Sequence, residues 1–254
     1  MNPYLKNLNR IEFVVTLACT GRCKHCSVGE HTDTGEHING DIAADLVQKV
    51  ASNYHIDSLM TFGGEPLLYP NEVCQIHAAA REEGIASRSV ITNGFFSRKE
   101  GKIERVAKSL VESGVNSVLL SVDAFHQETI PIEPVMVFAK ALYAQDVSKI
   151  RVHPAWLVSE VADNPFNCRT REILSEFNAI GILPSNGNVI FPKGNALTYL
   201  SEYFDASVPR VNPYSDDPYD VKSICVDPNG DVLGGNIYTT DILEILEKYV
   251  PNQK

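Results

Sequence analysis

Short runs of β-branched and apolar residues alternate along this chain with stretches whose apolar positions recur every three or four residues, and the alternation repeats six times. Residues 11–17 (IEFVVTL) form the first strand-like run. Ala43, Leu46, Val47, Val50 and Ala51 then share one face of a helix predicted near 41–54. The second strand is predicted at 58–62 and its helix at 70–83, ended by Gly84; the third strand at 87–92 and its helix at 99–113, with Ile103, Val106, Ala107, Leu110 and Val111 in helical register, ended by Gly114. A fourth strand at 117–122 precedes a helix at 134–144. A fifth at 149–158 precedes a helix at 171–180 closed by Gly181, and a sixth strand falls at 188–191.

Strands alternating with helices imply parallel pairing through right-handed crossovers. A chain of 254 residues is long enough for one substantial core. Six units are too few to close an eight-fold barrel. The fold class expected is therefore α/β. The rhythm breaks after residue 191: residues 194–221 are rich in Tyr, Asp and Pro, including Pro209, Pro213 and Pro218, as a lid or binding loop would be. Residues 225–232 place a turn signal between two short strands, and Ile242, Ile245, Leu246 and Tyr249 mark a closing amphipathic helix. The expected division is a core over 1–193 and a lid-like loop with a packed tail over 194–254.

Charge narrows the field of partners. The formal net charge is −10, which argues against sequence-independent binding to nucleic acid or anionic membrane. No apolar leader and no uninterrupted apolar stretch long enough to span a bilayer is present, so a cytoplasmic protein is expected. Six cysteines, three of them crowded together, suit a reducing compartment better than a disulfide framework.

The crowded cysteines are Cys19, Cys23 and Cys26, just past the first strand. Closed zinc and iron–sulfur sites take four protein ligands, so three thiolates on one loop leave a coordination position open. A zinc site completed by His25 or His31 is one way to fill it. The spacing also resembles the cluster motif of the radical S-adenosylmethionine (SAM) superfamily. There three cysteines hold a [4Fe–4S] cluster and the fourth iron chelates SAM. That resemblance implies a partial (β/α)6 barrel, open on one side, with its site at the C-terminal ends of the strands.

Further motifs fall at that end. Gly63-Gly64-Glu65-Pro66, after the second strand, matches the family's glycine-rich motif, whose backbone and glutamate hold the SAM amino group; two glycines let backbone approach a ligand closely. Thr92 and Asn93 follow strand three, where the family contacts ribose or carboxylate. Ser121 and Asp123 follow strand four as SAM contacts. Asp123 with His126 is alternatively a substrate-facing acid/base pair or a solvated loop pair. His153 is expected as a satisfied interior histidine, sharing a face with Ala155 and Leu157 and opposite Trp156. Gly194 is placed near the adenine. His25 stands where the family usually has a large aromatic, with its carbonyl still positioned to meet adenine.

Of the other cysteines, Cys74 reads as core and Cys168 as a thiol at a helix N-terminus. The segment from Ile224 to Ile237 resembles the C-terminal extension of SPASM/twitch radical SAM enzymes. Gly234 and Gly235 stand in place of its second cysteine, so too few ligands remain for an auxiliary cluster. Cys225 is left as a thiol hydrogen-atom donor or lone ligand. The resemblance implies reductive SAM cleavage to a 5′-deoxyadenosyl radical, hydrogen abstraction from a peptide or small metabolite, and an electron donor such as flavodoxin or ferredoxin. The alternatives are an activase that installs a glycyl radical on a partner enzyme, and a non-catalytic iron–sulfur or zinc module for electron transfer or interaction.

Overall fold

Hydrogen bonding between parallel strands organises the molecule around one curved sheet. The computed structural model describes residues 2–32, 34–145, 147–205, 207, 212 and 215–251. The strands are β1 (Arg10–Val14), β2 (Ser58–Phe62), β3 (Ser87–Thr92), β4 (Ser117–Leu120) and β5 (Lys149–Val152), with helices α1 (Gly40–Asn53), α2 (Pro70–Glu82), α3 (Glu100–Glu112) and α5 (Ile132–Ala144) crossing between them. A one-turn helix, α4 (Ala124–Gln127), precedes α5. Short strands β6 (Ala155–Trp156) and β7 (Asn188–Val189) flank α6 (Pro165–Asn178); α7 (Asn195–Tyr199), β8 (Ser223–Val226), β9 (Asp231–Val232), β10 (Gly235–Asn236) and α8 (Ile242–Lys248) complete the chain.

The sheet runs β5-β4-β3-β2-β1-β8, every pair parallel and no closure between its edges. This is the open partial barrel expected, with one change of membership. The sixth strand of the main sheet comes from the tail: Ile11 pairs with Ile224 and Phe13 with Val226. The run predicted as strand six is only two residues long here, and pairs with β6 in a separate parallel sheet. The fifth strand breaks at His153-Pro154, because proline has no N–H to donate to the ladder. Past the break Ala155 and Leu157 pack in one cluster and Trp156 in the other, so Trp156 lies opposite them as expected, although all three are buried.

One face of the sheet packs on helices. Ile11, Phe13, Leu59, Val90, Val118, Leu120, Ile150, Val152, Ile224 and Val226 meet Leu46, Val47, Ile76, Leu110, Phe138 and Leu142 in a continuous core. The opposite face is the lumen. A second cluster (Phe125, Ala155, Leu157, Ile190, Ala196 and Leu200) anchors α4 and α7 beside the cysteine loop. The α6 helix begins six residues before its predicted start: Asn164 caps it through Asn167 N–H, and Pro165 opens its first turn. Of the lid-like loop expected over 194–221, residues 206, 208–211 and 213–214, Pro209 and Pro213 among them, lie outside the described residues. Among the described residues no helix is long and apolar enough to cross a membrane.

Candidate active site

The cysteine loop leaves the C-terminal end of β1 and is held from three sides. On the β2 side Gly64 N–H donates to Thr16 O at 2.8 Å and Glu65 N–H to Ala18 O at 2.8 Å. A Cβ at Gly64 would stand 2.1 Å from Ala18 O, and one at Gly63 (φ +138°) 2.4 Å from Thr16 O. The close approach that these glycines permit is to the chain's own loop. From the far side Asn195 N–H donates to Cys26 O at 2.9 Å, and its Nδ2 to Cys23 O at 3.1 Å. Gly194 (φ +57°) lies where a Cβ would meet Cys26 O and Ser27 O at 2.6 Å. Asn195, adjacent to a glycine already singled out, carries no sequence signal for this clamp; only the fold reveals it.

Glu65 is the staple. Its carboxylate is wholly buried and accepts from Leu67 N–H (2.9 Å), Thr92 Oγ1 (2.7 Å) and Asn93 N–H (2.8 Å). Both oxygens join the glycine turn to the end of β3, three donors occupying three of the roughly four acceptor positions of a carboxylate. Burial lifts the carboxyl to about 7 against the pull of those three donors. Thr92 joins the same network, donating to Glu65 and accepting from Gly94 N–H at 2.9 Å. Asn93 turns toward the loop, with Nδ2 3.2 Å from Thr20 Oγ1 and 3.5 Å from Cys19 Sγ. Pro66 opens a single 3-10 turn, and half-buried Ser121 is fixed through its N–H to Thr92 O at 2.8 Å.

The thiols suit a multiply charged metal group. Burial pushes Cys19 up to about 11 and Cys23 well above the usual thiol range, and the neighbouring thiolates add to both. Burial acts upward on Cys26 too, yet His31, whose Nε2 lies 3.0 Å from its sulfur, brings it below that range. His31 Nδ1 donates to Leu17 O at 2.6 Å. Three sulfurs that repel one another as thiolates are stabilised together by bound cationic iron. No other cysteine joins them. Cys74 is half-buried on α2 beside an outer hollow of about 790 Å³ that Asp41, Glu72 and Glu112 also line; Cys168 is exposed on α6.

Asp123 and His126 form a pair, but not a solvated one. Asp123 is fully buried; Oδ1 caps α4 at Phe125 N–H and His126 N–H (both 2.9 Å), and Oδ2 meets His126 Nδ1 at 2.8 Å and Ala155 N–H at 2.9 Å. Burial pushes Asp123 up, but the His126 charge outweighs it and holds the carboxyl well below the usual range. His126 is raised, burial being overcome by Asp123. The His25 ring packs on Phe125 and His126 at 5.1 and 4.8 Å between centroids, and its buried Nδ1 has no partner. Burial lowers His25 to about 4. One ligand atom each of Cys23, His25 and His126 lies within 4.8 Å of the others. His153 is half-buried with Nδ1 2.8 Å from Ser185 Oγ.

Cys225 lies far below this loop, opposite Glu12 on the lumen face of β8. Burial among the surrounding walls, with Glu12 beside it, pushes the thiol up to about 12, although the residue is open to the lumen. No other cysteine shares its strand, and a single thiol does not hold a cluster. Cys225→Ala is expected to keep wild-type iron content after reconstitution; a loss of iron measured per chain would make it a ligand.

An open parallel barrel whose strand ends converge on a three-cysteine loop defines a class of metalloenzyme with one coordination position left for a ligand other than protein. The model of the Radical SAM superfamily matches residues 13–149, more than half of the chain, and the chain belongs to that superfamily. It is an enzyme of the radical SAM class, and that class implies a [4Fe–4S] cluster and SAM as its cofactors. A probable GTP 3′,8-cyclase of Methanocaldococcus jannaschii is 24% identical over 123 residues, 48% of this chain and 39% of that protein. The GTP 3′,8-cyclase of Moorella thermoacetica is 27% identical over 135 residues, 50% of this chain and 38% of that protein. The chain thus spans about two-fifths of the length of these curated relatives. In fold it is similar to Streptococcus suis SuiB bound to S-adenosylmethionine (TM-score 0.62, 12% identity, 96% of this chain and 66% of that one). It is also similar to native anSMEcpe with bound AdoMet (TM-score 0.59, 15% identity, 95% of this chain and 81% of that one).

Proposed function

We propose that the protein abstracts a hydrogen atom from a small metabolite or peptide held in the barrel lumen beneath the cysteine loop. The observation that carries this reading is the loop itself: three thiols at the mouth of a partial barrel, with every other cysteine on a different element. Cys19, Cys23 and Cys26 would hold the cluster. When bound, cluster and SAM together supply a 5′-deoxyadenosyl radical on one-electron reduction by a donor such as flavodoxin or ferredoxin.

The chain's own residues give that chemistry its geometry. The Gly63–Gly64 backbone fixes the loop from one side and Asn195 from the other, which holds the three thiols in place at the end of the barrel. Asn93, Ser121 and the backbone at His25 and Gly194 border the space where SAM would lie. The Asp123–His126 pair stands at the same rim, its ring fixed at Nδ1 and its other nitrogen left to meet a polar group of SAM or substrate. Immobilising the reactive carbon against the 5′ position lowers the barrier through orientation and keeps the radical from water. We read residues 194–254 as a lid and a remnant SPASM/twitch-like tail whose β8 strand seals the β1 edge.

The test is anaerobic reconstitution with iron and sulfide, followed by SAM and dithionite. 5′-Deoxyadenosine is the expected product. Iron-loaded protein that forms none would favour an electron-transfer or interaction module, and a glycyl-radical signal on an added partner would favour the activase. Similarity to GTP 3′,8-cyclases makes GTP the first nucleotide to supply.

A further inference from the structure

The lumen face of the sheet can be read residue by residue from the strand register. In a parallel sheet paired residues point the same way, and alternate residues on a strand share a face. Cys225, Glu12, Met60, Ser89, Ser117 and Lys149 form one inward row through successive pairings. The next row, one step nearer the cysteine loop, contains Val14 paired with Phe62, and Ile91 paired with Leu119, which pairs with Arg151. Burial agrees with this assignment: Ile150 and Val152, on either side of Arg151, belong to the helix-facing core.

The upper row is apolar except at its end. Two arginines occupy lumen-face positions, and their ion pairing differs. Arg10, two steps below Val14, is neutralised by Glu12 at 2.6 Å and also donates to Met60 Sδ at 3.4 Å. Arg151 is half-buried and donates from Nη1 to Ile150 O at 2.8 Å; among the described residues no carboxylate lies within ion-pair distance of it. A guanidinium has five N–H donors, and this one commits a single nitrogen to the protein. In a chain of net charge −10, an uncompensated cation on an apolar wall below a catalytic loop calls for an anion from elsewhere. Beyond the break at His153-Pro154 the chain continues to Ala155, whose N–H is bonded to Asp123. An anion held at Arg151 therefore lies on the wall that leads up to the Asp123–His126 pair and the cysteine loop.

We infer that the lumen takes a small substrate bearing an oxyanion, a phosphate or a carboxylate, and that Arg151 is the residue that binds it. The inference rests on the radical SAM reading for its place in catalysis, and the binding itself is measured without turnover. Arg151 orients the substrate by pairing two N–H groups with two oxygens, leaving the remainder of the molecule against Phe62, Ile91 and Leu119.

The experiment titrates reconstituted, SAM-loaded protein with pyrophosphate and, separately, with glutarate, following heat of binding. Wild type is expected to bind at least one, and the preferred probe tells phosphate from carboxylate. Arg151→Gln is expected to weaken that binding about tenfold or more. Arg105→Gln, the same charge change on the exposed face of α3, is expected to stay within about twofold of wild type, since screening limits a distant charge. Where Arg151→Gln does not fold, Arg151→Lys carries the test with an expected loss of about threefold, because an ammonium offers no planar fork. Wild type that binds neither probe overturns the inference, as does an Arg151 variant that binds as wild type or a loss equal to that of Arg105→Gln. Absence of 5′-deoxyadenosine from wild type would instead remove the radical reading and leave the anion measurement standing.

Discussion

Cys23→Ala is expected to abolish SAM cleavage, lowering 5′-deoxyadenosine formation by about a thousandfold or more, equivalent to roughly 4 kcal/mol of barrier. The residue is 7% exposed at the centre of the loop, its thiol raised by burial first and by Asp123 next. A thiolate there is tolerable only when iron supplies the opposing charge, so the site is built around a metal that it does not stabilise as free thiolate. Two remaining cysteines cannot hold a four-iron cluster in a defined orientation. Iron per chain and the visible charge-transfer absorption should fall together with activity. The fold should survive, because the alanine removes one buried sulfur from a loop still clamped by Gly64, Glu65 and Asn195. Cys74→Ala, on the outer side of α2, is the matched control and should keep iron and activity. Retention of SAM cleavage by Cys23→Ala would remove the loop from the chemistry.

The parts of this molecule governed by local pattern were legible in the sequence. Helices α1, α2 and α3 begin and end within a residue or so of their periodicity, because an amphipathic stripe, followed by a glycine after α2 and α3, acts over a few residues. The three cysteines and the glycine turn were legible because cluster chemistry constrains their spacing. Partners distant in sequence were not. Nothing local tells that residues 223–226 return to pair with β1, since a four-residue run with alternating burial fits a hairpin as well as a sheet edge. Nor does a Gly-Gly-Glu-Pro string say that the glutamate holds the backbone of Asn93, 28 positions away. Asp123 was visible as a polar residue after a strand; its burial, and its simultaneous role as a helix cap and a histidine partner, depend on Ala155 and Phe125 packing around it.

Glu65→Gln is expected to destabilise the protein by about 2–3 kcal/mol at pH 5 through the conflict it creates among buried donors. One Glu65 oxygen accepts from both Leu67 N–H and Thr92 Oγ1, and the other from Asn93 N–H. A protonated carboxyl fits these partners because the Thr92 hydroxyl rotates to receive its single O–H. An amide brings two N–H groups, and in either orientation one of them opposes a backbone N–H that cannot rotate away. The pH dependence has a definite sign. Burial raises the folded carboxyl from 4.5 to about 7, so the folded state keeps its proton to higher pH than the unfolded chain. The contribution of Glu65 is thus fully present below about pH 4.5 and is lost as pH rises through about 7. Glutamine does not titrate, so the stability gap between wild type and variant should narrow from pH 5 to pH 8. Urea-melt midpoints at several pH values measure that gap directly. Equal stability at pH 5 would mean that Glu65 does not staple the glycine turn to β3. A gap that widens with pH would mean that the three donors outweigh burial and that the carboxylate is the favoured buried form. Because the same turn grips residues 16–18, the variant should also load less iron, tying the stability of one buried carboxyl to the integrity of the cysteine loop.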